Sequence, residues 1–117
     1  MQRKGIRMSA ERKAVNEGRF RDANEHLERA AADIVRDDER LVPFLCECPQ
    51  IDCTQVALLT LAEYERVRSA SKQGLAVLGH EDLSIEVVLE RNDRFLMTEK
   101  FGRAGDVHAQ TDERGND

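Results

Sequence analysis

The chain has 117 residues and a net charge of −5; charged residues make up 35%, aromatic residues 4%, and there is no Trp. This length and composition allow one domain with appendages and a small apolar core. The acidic balance counts against bulk electrostatic attraction to nucleic acid, and no run approaches the roughly 20 apolar residues that a membrane span requires. The N-terminus has no apolar segment of the secretory kind, which predicts a cytoplasmic protein with reduced thiols.

Residues 1–8 read as a flexible basic N-terminus carrying Arg3, Lys4 and Arg7, the one place where phosphates would find partners. Residues 9–41 read as a long helix, with Ser9 as N-cap and no proline before Pro43. Phe20, Leu27, Ile34 and Leu41 recur every seven residues, with Ala23 and Ala30 between them. This short heptad seam serves either to cover the following domain or to dock a protein partner, including a second copy. Gly18 marks a bend or a later start.

After Pro43 the composition changes, and residues 42–101 read as a small α+β domain. Val42–Cys48 is apolar and extended, and Val56–Thr60 forms a second run. Thr60-Leu61-Ala62-Glu63 is a capping box that opens a helix ending at Gly74. Tyr64, on one face of that helix, reads as a half-buried anchor. Leu75–Leu78 is a short strand with Gly79 and His80 in the turn after it. Ile85, Val87 and Leu89 then alternate with Glu86 and Glu90 in a hairpin closed at Asn92-Asp93-Arg94. A three-residue loop sets Leu89 opposite Met97, Ile85 opposite Phe101 and Glu86 opposite Lys100, whereas a two-residue loop sets Glu86 against Glu99, a like-charge pair. Residues 102–117 have little to bury and read as a disordered tail. The fold class is α+β: a long N-terminal helix, then a small antiparallel sheet with one short helix and a structural zinc site.

The chemistry concentrates in FLCECPQIDC, where all three cysteines (Cys46, Cys48 and Cys53) fall within eight residues. In a reducing compartment such clusters read as metal-binding or redox-active. On an extended chain Cys46 and Cys48 point to the same side, and the turn through Pro49 brings Cys53 back. A tetrahedral zinc site needs four N/S ligands. Among the histidines, His26 borders the helix seam, His108 sits in the tail, and His80 follows a glycine in a turn after a strand. The metal ligands are thus read as Cys46, Cys48, Cys53 and His80, with zinc as the cofactor. Buried or metal-free cysteines, or Asp52 or Asp82 in place of the histidine, are the alternatives.

The run FLCEC-x4-C, LTLAEYERVR, GHED and IEVVLERNDRFLMTEK resembles small uncharacterised proteins of actinobacteria over about residues 15–100. Those proteins carry a Cys-Glu-Cys…Cys block and a Gly-His block before a terminal strand pair. The resemblance implies the pairing of the three cysteines with His80 and brings no activity with it. Leu78 departs from that pattern, which has Pro before Gly-His.

No phosphate loop, nucleophile elbow or paired-carboxylate motif is present, so no catalytic residues are assigned. The reading is a cytosolic, zinc-stabilised interaction or regulatory module whose long helix is a docking arm. A zinc enzyme with an open fourth position, using Glu81 or Glu47 as base, is one alternative. A thiol/zinc redox sensor is another.

Overall fold

A computed structural model describes residues 8–114 of the chain; apart from Met8, the expected basic N-terminus lies outside the described residues. The order is α1 (Ala10–Ile34), β1 (Val42–Leu45), β2 (Val56–Leu59), α2 (Leu61–Val67), β3 (Gln73–Ala76), β4 (Glu86–Arg91), β5 (Leu96–Lys100) and α3 (Gly102–Gln110). The fold is α+β. Its strands form two antiparallel sheets, β1-β2 and β3-β5-β4. No helix among the described residues is long and apolar enough to cross a membrane.

Ser9 caps α1, its hydroxyl accepting from the Arg12 amide. The helix stops at Ile34, seven residues short of the span expected from the sequence. The acidic run Asp37-Asp38-Glu39 is unfavourable at a helix C-terminus. Asp37 instead folds its own turn: its carboxylate accepts from the Glu39 amide at 2.9 Å, and its carbonyl accepts from the Arg40 amide at 3.0 Å. The heptad seam is not the inward face. Ala23, Ala30 and Ile34 are exposed, and only Leu27 packs at the edge of the core. The buried stripe is Ala14, Asn16, Glu17, Gly18, Arg21, Asn24 and Glu25, spaced as one helix face but largely polar.

Buried polar groups need partners, and Asn24 shows how tertiary structure supplies them. Its side-chain amide donates to the Leu45 carbonyl at 2.9 Å, while its oxygen accepts from the Leu45 amide at 2.8 Å. It thereby stands in for a strand beside β1.

The capping box forms as expected: Thr60 Oγ1 accepts from the Glu63 amide at 3.1 Å, and Glu63 Oε1 from the Thr60 amide at 2.8 Å. Helix α2 ends at Val67 rather than Gly74, because Ser69 turns back to the Arg66 carbonyl at 2.7 Å and Gly74 is taken into β3. Tyr64 is fully buried. Its ring stacks on Phe44 with centroids 4.3 Å apart, and its hydroxyl donates to Glu25 at 2.6 Å. These rings, with Val42, Ala57, Leu59, Val67, Leu75 and Phe95, form the main apolar cluster.

In the hairpin, Glu86 pairs with Lys100 as expected, and Phe101 bonds back to Ile85. Leu89 does not face Met97; a bulge places Glu90 there instead. The alternation of faces is also the reverse of an apolar-inward strand. Glu86, Thr98 and Lys100 are buried, whereas Val87 and Leu89 are 47% and 44% exposed.

The expected disordered tail is corrected most. Residues 102–110 form α3, which packs on α1 by burying small residues: Ala104 and Val107 join Ala14 and Ile85. Gly105 approaches so closely that a Cβ there would lie 2.8 Å from the Lys100 carbonyl. His108, expected in a mobile segment, is fully buried.

Candidate metal centre

Beyond β1 the chain passes from one sheet to the other. The Cys46 amide still pairs with the Gln55 carbonyl at 3.0 Å, but the Glu47 amide pairs with the Leu75 carbonyl of β3, also at 3.0 Å. This extended passage turns Cys46 and Cys48 one way and Glu47 the other. The next turn closes with the Cys53 amide on the Gln50 carbonyl at 3.0 Å, and Asn16 of α1 pins its entry by donating to the Pro49 carbonyl at 2.8 Å. The fourth residue comes from the β3–β4 link. There, Val77–His80 forms a turn with the His80 amide on the Val77 carbonyl at 2.9 Å. Gly79 at φ +89° supplies the left-handed third position of that turn.

Cys46, Cys48, Cys53 and His80 converge, with one donor atom of each lying within 4.8 Å of all the others, close enough to hold a metal ion. His80 Nδ1 lies 3.6 Å from Cys46 Sγ and 3.7 Å from Cys53 Sγ. Tetrahedral zinc, with bonds of about 2.3 Å to sulfur and about 2.05 Å to nitrogen, separates such atoms by about 3.6 Å. The Val77 amide donates to Cys46 Sγ at 3.3 Å, a contact that would favour the thiolate form a metal needs. The Cys46–Cys48 hydrogen bond holds the Cys48 thiol down to about 5 and pushes Cys46 up, and burial raises Cys53.

The site sits at the junction of the two sheets, next to a small apolar cluster of Ala76 and Leu96. Beside it lies an open pocket of about 380 Å³, lined by Cys48, Gln50, His80, Glu81 and Asp82 among others. The two carboxylates weighed as bases are engaged elsewhere. Glu81 pairs with Arg91 at 3.2 Å. Glu47 is buried on the far side, accepting from Asn24 at 2.8 Å and from the Leu75 amide at 3.3 Å. Asp82 pairs with Lys13 at 2.7 Å. His26 is exposed, its ring on the Asp22 carbonyl.

Leu78 occupies the second position of the Val77–His80 turn and is 40% exposed, a place where proline fits the backbone without strain. Leu78→Pro is expected to raise stability by about 0.4–1 kcal/mol through the unfolded state, read as a higher urea midpoint at unchanged slope. A lower midpoint would mean that the Leu78 amide has an essential partner.

Sequence reading did not find the buried charges behind the metal centre. Lys100 is sealed, with its ammonium 3.0 Å from both Glu17 Oε1 and Glu86 Oε1 and donating to Thr98 at 3.3 Å. Gly74 leaves room for this group, since a Cβ there would meet Lys100 Nζ at 2.8 Å and Glu47 Oε1 at 3.1 Å. A second network ties α1 and α2 to the segment after α3: Arg68 binds Glu25 and Asp112, and Arg114 binds Glu25 and Glu65. The Glu86–Lys100 register was the only signal of either in the sequence.

No protein-family model, curated protein or solved structure matches the chain. The site is therefore read from its own geometry.

Proposed function

We propose that this chain is a cytosolic zinc-stapled interaction module, in which the metal is structural and α1 carries the docking surface. The observation that carries the reading is the convergence of four side-chain donors from two links, one belonging to each sheet. Four protein ligands of types N and S fill a tetrahedral shell and leave no position for substrate, the pattern of structural rather than catalytic zinc. Thiolate-rich ligation favours zinc over magnesium or calcium. Glu47 is turned into the interior and Glu81 is paired to Arg91, which disfavours either as a base at the metal.

The docking role rests on the far half of α1. Its near half is fixed by buried polar contacts, while Ala30 and Ile34 stay exposed, Ile34 at 75%. The partner is a protein surface, or a second copy, that accepts this apolar stripe.

Metal analysis of the reduced, purified chain should give about one zinc per chain; metal-free folded protein would end the structural-zinc reading. Ile34→Asp should abolish association in sedimentation or pull-down experiments and leave the melting temperature unchanged. Association that survives this change would move the docking surface elsewhere.

A further inference from the structure

We propose that Glu17 is the protonated member of a sealed cluster beneath α1, and that loss of this proton in mildly alkaline solution loosens the seat of that helix. The cluster draws Glu17 and Arg21 from α1, Glu47 from the β1–β2 link, Glu86 from β4, Lys100 from β5 and His108 from α3, while β3 faces it with uncharged Gly74 and the Leu75 amide. All the titratable members are at most 2% exposed. Three carboxylates face two permanent cations, because burial and the nearby Lys100 and Arg21 hold His108 well below its usual range and keep it neutral. A dry interior does not tolerate the leftover negative charge, so the group holds one proton.

Hydrogen bonding assigns that proton. Burial pushes Glu47 up as well, but Glu47 accepts from Asn24 and from the Leu75 amide, which favours its ionised form, and Glu86 accepts from the Asp82 amide at 2.9 Å. Neither oxygen of Glu17 has an amide donor, and the Lys100 ammonium, 3.0 Å from Oε1, is shared with Glu86 Oε1. A carboxylate without amide donors is easier to neutralise than neighbours that have them. Burial accordingly pushes Glu17 up to about 8, against the opposing pull of Lys100.

The sign follows from linkage. The folded-state value lies above the ordinary 4.5, so the stabilising contribution is complete below about pH 4.5 and is lost as pH rises through about 8. Lys100, pushed up by Glu17 and Glu86 against the effect of burial, stays charged throughout this range. Since α1 also holds the metal loop through Asn16 and Asn24, the loosening reaches the centre from behind and runs opposite to the acid lability of thiolate–metal bonds.

The test uses the full metal-loaded chain and its Glu17→Gln variant, which keeps the shape and removes the titration. Between about pH 6.5 and about pH 9, the folding equilibrium constant of the parent should fall by roughly tenfold or more relative to the variant. Glu28, raised to about 7 chiefly by its own burial, is common to both chains and cancels. Superimposable pH profiles would overturn the proposal. Carbon-13 NMR of glutamate-labelled parent protein gives an answer even if the variant fails to fold. In a Glu28→Gln background, which removes the other glutamate raised to about 7, a carboxyl signal should remain protonated above about pH 6, and full ionisation of every glutamate at that pH would overturn it. Neither readout depends on which metal the chain binds.

Discussion

Replacing His80 by alanine should lower metal affinity by about a hundredfold and bring unfolding to a markedly lower temperature. Structural zinc in small domains contributes about 10–16 kcal/mol of binding free energy; divided among four ligands, one is worth roughly 3 kcal/mol, or about two decades of affinity. The stability effect follows by mass action, because metal at a thousand times its dissociation constant adds about 4 kcal/mol to a domain whose total is only about 5–15 kcal/mol. The loss should be large here because of where the ligands come from. Cys46, Cys48 and Cys53 belong to the link between β1 and β2, and His80 to the link between β3 and β4, so a metal held by all four would tie one sheet to the other. A chelator should reproduce the effect in the parent chain and add little in the variant. His26→Ala, on the exposed side of α1, is the matched control and should retain both metal and melting temperature. Unchanged zinc content in His80→Ala would remove this residue from the centre.

The second large effect is expected at Arg68. Its side chain is completely buried, with Nε on Glu25 at 3.0 Å and the guanidinium nitrogens on Asp112. Burial alone would raise both carboxyls, but the hydrogen bonds from Arg114, Tyr64 and Arg68 to Glu25, and from Arg68 to Asp112, hold them below their usual range. Arg68→Met removes the cation hydrogen-bonded to Asp112, leaving it the Arg114 amide and the field of Arg21, and leaves Glu25 to Arg114, which should cost about 3 kcal/mol. Because these carboxyls are depressed in the folded state, their contribution is present at neutral pH and lost as pH falls below the carboxylate range. The variant should therefore lose part of the parent's acid sensitivity as well as its stability. Pairing Arg68→Met with Asp112→Leu should recover much of the deficit, since removing both partners is milder than orphaning one. Denaturant melts at neutral and acidic pH read both effects. A loss below about 1 kcal/mol for the single change would mean that water reaches the pair.

What the sequence disclosed follows from how local each signal was. The capping box at Thr60 and the three clustered cysteines involve neighbours in the chain, and both appear in the structure where the residues imply. His80 was reachable because a glycine turn restricts where the next side chain points. The Glu86–Lys100 register came from one like-charge pairing to be avoided. Helix α3 was missed because GRAGDVHAQ buries small residues and a histidine instead of large apolar ones, so hydropathy carries no trace of it. The inward stripe of α1 was missed for a related reason. The apolar period runs through Phe20, Leu27 and Ile34, whereas Arg21 is buried by donating to the carbonyls of Ser71 and His108 at 3.0 and 2.7 Å, partners that lie 50 and 87 residues away. Nothing near Arg21 in the chain announces them.

The strand-like pairing of Asn24 with Leu45 also fixes where along its axis α1 can sit. A greasy helix face tolerates sliding, because one aliphatic contact replaces another at little cost. A slide of one turn here would bring Phe20 or Glu28 to Leu45, the first with no polar group and the second with acceptors only. The Leu45 amide and carbonyl need both a donor and an acceptor, and in this stretch of helix Asn24 alone provides them at the right height. The polar face thus indexes the helix to a single notch, and the metal loop inherits its position from that notch.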